Sequence, residues 1–101
     1  MRQSVRKFDS KSVQGQGTWV CARKMTVGEI AEADARIEVE GNFEYSMSIL
    51  REKVLEWNWT DDEDQPLPQP KDDAGVLDDL TDEEFNFLCE CVVGKQPELK
   101  N

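Results

Sequence analysis

The sequence contains no histidine, only three cysteines, and no apolar run near the roughly 18 to 20 residues that a membrane-spanning helix needs. Without histidine, the commonest general base and the commonest metal ligand are missing, and Cys-His and Ser-His nucleophile pairs are excluded. Lysine or carboxylate chemistry survives that test, yet no glycine-rich phosphate loop accompanies it. Gly15 and Gly17 form a G-x-G with neither a third glycine nor a strand-turn-helix setting. A non-enzyme without catalytic residues or cofactor is the expectation. Cys21, Cys89 and Cys91 are odd in number, and the last two are too close in sequence for a useful staple. They read as reduced thiols acting as small hydrophobes. Residues two apart on a helix diverge, so Cys89 and Cys91 do not suggest a zinc site. The run Asp61-Asp62-Glu63-Asp64 lacks the central glycine and distal glutamate of a calcium loop and reads as a charged turn. No metal site is expected. Met1 to Phe8 is basic with no apolar block behind it, which predicts no secretory signal.

What is present is charge, unevenly placed. The net charge is −10 over 101 residues, with 38% hydrophobic and 34% charged residues, which suits one small domain with a heavily solvated surface. Residues 1–25 hold six Lys or Arg against the single acid Asp9, while residues 26–101 hold six bases against twenty-one acids. Phosphate affinity needs a basic surface, so the acidic body is not expected to bind nucleic acid. It suits a basic partner or solubility.

Along the chain, residues 1–17 are polar and basic and read as a flexible segment, with Phe8 and Val13 as its apolar candidates for docking. Residues 18–94 read as the single domain, and 95–101 as a frayed tail. Thr18 to Met25 reads as a strand, which Ser12-Val13 could pair as a hairpin. Thr26 and Glu29 form a T-x-x-E capping box opening a helix with Ile30, Ala33 and Ile37 on its apolar face and Gly41 as its stop. The next helix carries Phe43, Met47, Leu50, Val54 and Trp57 at alternating spacings of four and three, a stripe that must be buried. Pro66, Pro68 and Pro70 make residues 61–75 a connector with an extended, stiff core, strapped across the helices. A short helical piece from Val76 to Leu80 precedes a second capping box, Thr81 to Glu84, and a last helix over about 82–93 stopped by Gly94. The predicted class is α+β, mostly helical: a short N-terminal strand or hairpin, then three main helices. The predicted core is Trp19, Ile30, Phe43, Met47, Leu50, Val54, Trp57, Phe85, Leu88 and Val92. Trp59, Leu67 and Phe87 are the candidate partner-binding residues, as apolar positions expected outside that core. The apolar sides of the last helix could also pair with a second copy.

The stretch Trp57-Asn58-Trp59-Thr60-Asp61-Asp62-Glu63-Asp64-Gln65-Pro66-Leu67-Pro68, then an acidic spacer and Leu-Thr-x-x-Glu, resembles the tail assembly chaperones of long-tailed bacteriophages. Trp19 to Glu29 resembles the strand and "R-x-(hydrophobic)-T-x-G-E" opening of the same group. Gln65 stands where a glycine is common in that phrase. The resemblance implies a chaperone in the host cytoplasm that binds the tape-measure protein and tail-tube subunits during assembly. It implies no catalytic residues. The competing reading is an acidic inhibitor of a host defence system, a DNA mimic or an anti-CRISPR-like protein. A mimic concentrates acids on one face, whereas a chaperone shows an apolar groove or patch.

Overall fold

Three short strands, Val5–Asp9 (β1), Trp19–Arg23 (β2) and Val54–Trp57 (β3), form an antiparallel sheet in the order β1-β2-β3. The computed structural model describes residues 5–40 and 42–99. A single turn of helix, Lys11–Gln14 (α1), lies between the first two strands. Between β2 and β3 come Val27–Glu40 (α2) and Asn42–Lys53 (α3), and after β3 a 3-10 helix, Ala74–Asp79, and Asp82–Val93 (α4). The expectation of a mostly helical fold is overturned. The class is α+β, and the sheet is the floor on which the core is built.

Two physical causes hid the sheet. In β1, Phe8 is fully buried but Val5, Lys7 and Asp9 are exposed. An edge strand that buries so little side chain reads as a polar tail. Residues 5–14, expected to be flexible, are therefore β1 and α1, and Ser12-Val13 sits in α1 and not in a hairpin strand. In β3, Val20 pairs with Trp57 and Ala22 with Val54, because a bulge opposite Cys21 and Ala22 inserts one extra residue. In a regular strand, positions three apart face opposite sides. The bulge lets both Val54 and Trp57 point into the core, which imitates helical spacing. The predicted second helix therefore ends at Lys53 and not at Trp57.

Phe8, Val20, Ala22, Val54, Trp57 and Trp59 meet Met47 and Leu50 of α3, Val76 and Leu77 of the 3-10 helix, and Phe87, Leu88, Cys91 and Val92 of α4. Phe43, expected in this core, is 61% exposed because it opens α3 at the rim of the fold. Trp19, Ile30 and Phe85 are half-buried. The rings of Trp57 and Trp59 stack at 4.6 Å with a 4° interplanar angle. A polar relay crosses this core: Trp59 Nε1 donates to Ser10 Oγ (2.9 Å), Ser10 donates to Thr18 Oγ1 (2.7 Å), and Thr18 donates to the Gly15 carbonyl (2.7 Å). It satisfies the buried indole and hydroxyl.

Both capping boxes form. Thr26 Oγ1 accepts from Glu29 N (3.1 Å) while Glu29 Oε1 accepts from Thr26 N (2.8 Å), and Thr81 and Glu84 repeat the exchange at α4. The αL residue Gly94 ends α4 with its N–H on the Cys91 carbonyl, while Lys95 N–H reaches the Glu90 carbonyl. The Gly41 stop lies outside the described residues, as does the side chain of Ile37.

Glu29 also accepts from Lys53 Nζ at 2.8 Å, joining the start of α2 to the end of α3. This bond, with the one from Thr26 N, holds the Glu29 carboxyl down at about 2. A carboxyl depressed in the folded state stabilises the fold above its ordinary value, and that contribution is lost as pH falls toward the depressed one. Melting midpoints of the wild type and Glu29→Gln should therefore converge as pH falls from about 4.5 to about 2. Parallel profiles across that window would show that the link contributes nothing.

The proline connector runs along β3 and not across the helices. Leu67 N donates to the Trp59 carbonyl (3.0 Å), and Lys71 N to the Leu55 carbonyl (3.3 Å). Between them the Gln69 side-chain amide accepts from Trp57 N (3.0 Å) and donates to the Trp57 carbonyl (2.9 Å), standing in for the backbone of a fourth strand. Pro68 supplies the carbonyl for Trp57 Nε1 at 3.1 Å. Prolines cannot offer a ladder of N–H groups, so the strap closes this edge without creating another.

Candidate functional site

Two surfaces stand out, one apolar and one acidic. The apolar one is a cleft of about 110 Å³ among α2, α3 and α4. Ile30 and Ala33 of α2 form one wall, Ile49 and Leu50 of α3 the floor, and Cys89, Val92 and Val93 of α4 the other wall, with Met25 at one end. The polar lining comes from Asp34 and Ser46. The helical grammar explains the placement. Positions 43, 46, 49 and 50 of α3, and 85, 89, 92 and 93 of α4, repeat at three- and four-residue intervals and so run side by side. Phe43 and Phe85, at the head of these rows, meet with ring centroids 5.3 Å apart. The apolar strip thus extends from this aromatic pair to Met25 and Val93. From position 43 to 50 it spans about 10 Å of α3, at ~1.5 Å per residue.

The acidic surface is a wider cleft of about 530 Å³ bounded by α1, the turn after β3, and the start of α4. Asp61, Asp62, Asp64, Asp79 and Glu83 ring it, above Val13 and Leu67. Residues 61–84 carry eleven acids and one base, Lys71, and six of those acids line this cleft. Its turn is rigidly specified: Asp61 Oδ1 accepts from Glu63 N (2.8 Å) and Gln65 N (3.0 Å), and Asp61 N donates to the Gln65 carbonyl (2.9 Å). Asp64, and not Gln65, takes the left-handed position, at φ 62°. Aspartate tolerates that conformation better than most side chains. Glu84 lines the cleft too, but its carboxylate is committed to the α4 cap and to Gln14 Nε2. Gln14 in turn brackets Thr60, accepting from its N–H (3.0 Å) and donating to its carbonyl (3.1 Å). Among the described residues, no group of three or more Cys, Asp or Glu is arranged to hold a metal ion.

Of the three residues singled out from sequence, Trp59 and Phe87 belong to the core, at 1% and 3% exposure. Trp59 is two residues beyond Trp57 on extended chain, so the two indoles share a face and stack. Phe87 lies on the buried α4 face Glu84-Phe87-Leu88-Cys91-Val92. That face was hidden because a capping glutamate fills its first position. Leu67 alone remains partly exposed, in the acidic cleft. The three do not form one site. The cleft residues left out of the candidate site by the sequence reading are Ile49, Cys89 and Val93; the α4 repeat 85-89-92-93 signals the last two, and Ile49 reads from sequence only as widening the apolar surface of its helix. Desolvation raises the thiols, Cys89 to about 11 and Cys91 to about 12, so neither is a nucleophile at neutral pH. No family model, curated protein or solved structure matches this chain.

Proposed function

We propose that this chain is a non-enzymatic assembly chaperone of the long-tailed phage type, holding the tape-measure protein through the α2-α3-α4 cleft. The observation that carries this reading is an open apolar strip, ended by the Phe43–Phe85 pair, on a chain of net charge −10. An amphipathic helix offers apolar anchors at three- and four-residue intervals, and the strip is long enough for about two turns of one. Once the strip is covered, the surrounding acids keep the complex soluble. Tail-tube subunits are the second partner, meeting the tape-measure helix while it is held, in the cytoplasm of the host. The two stretches that carry the resemblance belong to the scaffold: one holds the last residue of β3, the turn after it and the start of the strap, the other β2 and the cap of α2.

The acids of residues 61–84 favour a second reading, an inhibitor that presents carboxylates to a host nucleic-acid-binding protein. Co-purification with the tagged protein from phage-infected cells, at low and at high salt, separates the two. Tape-measure and tube proteins retained through high salt are the expected result, because apolar contacts are not screened. A host nucleic-acid-binding effector, recovered only at low salt, would replace the chaperone by the inhibitor.

A further inference from the structure

The two edges of the sheet are closed very differently. The strap on β3 is fixed by backbone bonds at both ends and by the Gln69 amide at its centre. At the other edge, the segment after α4 pairs with β1 through a bridge between Phe8 and Glu98. Among the described residues, one backbone hydrogen bond of good geometry holds it there, from Leu99 N to the Lys7 carbonyl at 2.8 Å. Nearer α4, Gln96 Nε2 donates to Glu90 Oε1 at 3.4 Å, and at β1 itself the other polar contacts among those residues are ion pairs. The Glu98 carboxylate lies 3.5 Å from Arg6 Nε and 3.5 Å from Lys24 Nζ, and all three side chains are about a third exposed. Exposed pairs of this kind contribute little and weaken with salt.

This edge is also where the chain collects its positive charge. Arg6 and Lys7 lie on β1, with Arg23 and Lys24 at the end of β2 beside them. We propose that the β1 edge is a docking site for an extended acidic peptide of a partner protein, and that residues 96–99 are a displaceable resident strand occupying it in the free chain. The resident segment shows what the edge accepts: an extended backbone that donates to Lys7, with a carboxylate held between Arg6 and Lys24. Strand addition of this type draws affinity from main-chain bonds and specificity from the side chains. Tethering gives the resident segment a high effective concentration, so a partner peptide binds well only where the tether is displaced or weakened. This inference does not depend on the proposed function.

The test uses the full chain carrying Glu98→Lys and Leu99→Pro, which remove the carboxylate and the donating N–H. A synthetic peptide of residues 94–99 is titrated into this variant and into the wild type, followed by backbone amide NMR. The released variant should bind the peptide at least ~10-fold more tightly than the wild type does, as expected when a tethered competitor is removed. Shifts should centre on residues 5–9 and on Lys24, and a peptide carrying Glu98→Lys should not bind. In the wild type, the Leu99 amide should exchange faster than that of Leu67 on the strapped edge. Equal affinity for the two proteins, shifts away from β1, or a variant whose segment stays docked would overturn the proposal. So would a variant that dimerises through β1 without taking up peptide.

Discussion

Leu50→Asp should leave no cooperatively folded protein at 25 °C. Leu50 is fully buried, and its side chain joins the sheet to α3 and forms the floor of the apolar cleft. Losing the leucine from such a site costs about 2–5 kcal/mol, and an unpaired carboxylate in its place costs several more. A domain of this size has a total of roughly 5–15 kcal/mol, so the combined loss is of the same order as the whole stability. Circular dichroism and amide NMR would read the result directly. Leu50→Met, which conserves volume, should cost under about 1.5 kcal/mol and keep the native spectrum. A Leu50→Asp protein that melts like the wild type would mean that α3 does not pack as described.

Trp59→Ala should be the most costly of the large-to-small aromatic changes, at about 3–5 kcal/mol. Three losses coincide there. The stack on Trp57 disappears, as does the tilted contact with Phe87 at 6.3 Å. Ser10 Oγ, fully buried, also loses the indole donor that reaches it at 2.9 Å. With each kcal/mol worth about 4–8 °C in a domain of this size, the melting midpoint should fall by more than ~12 °C. Trp59→Phe should recover much of the loss but not the relay. A midpoint within a few degrees of the wild type would place Trp59 at the surface, where sequence reasoning put it.

The contrast at Trp59 shows what could be read from sequence here. Local chemistry was legible: both T-x-x-E boxes form their reciprocal bonds, and α4 begins after Thr81 and stops at Gly94. Those signals are complete within a few residues. The burial of Met47, Leu50, Val54 and Trp57 was legible as well, because amphipathic spacing reports burial whichever element delivers it. The secondary structure beneath that spacing was not. The bulge opposite Cys21 and Ala22 gives a strand the three-residue interval of a helix, and it exists only once β2 is alongside. β1 and the segment at Glu98 escaped for a related reason: each is polar and gains its structure from a partner distant in sequence. The cleft needed the same information, since its walls come from three helices whose mutual placement no single periodicity states.

The pairing of an apolar strip with an acidic body makes the central claim open to one measurement. The tape-measure protein is co-expressed with the wild type, with Phe43→Glu/Val93→Glu, or with Asp61→Asn/Asp62→Asn, and its soluble fraction is quantified. Phe43 and Val93 are exposed, so charging them should leave the fold intact. Soluble tape-measure protein should persist with the wild type and the aspartate variant and be lost with the strip variant. Retention with the strip variant, and loss with the aspartate variant, would contradict the account and assign binding to the acidic cleft.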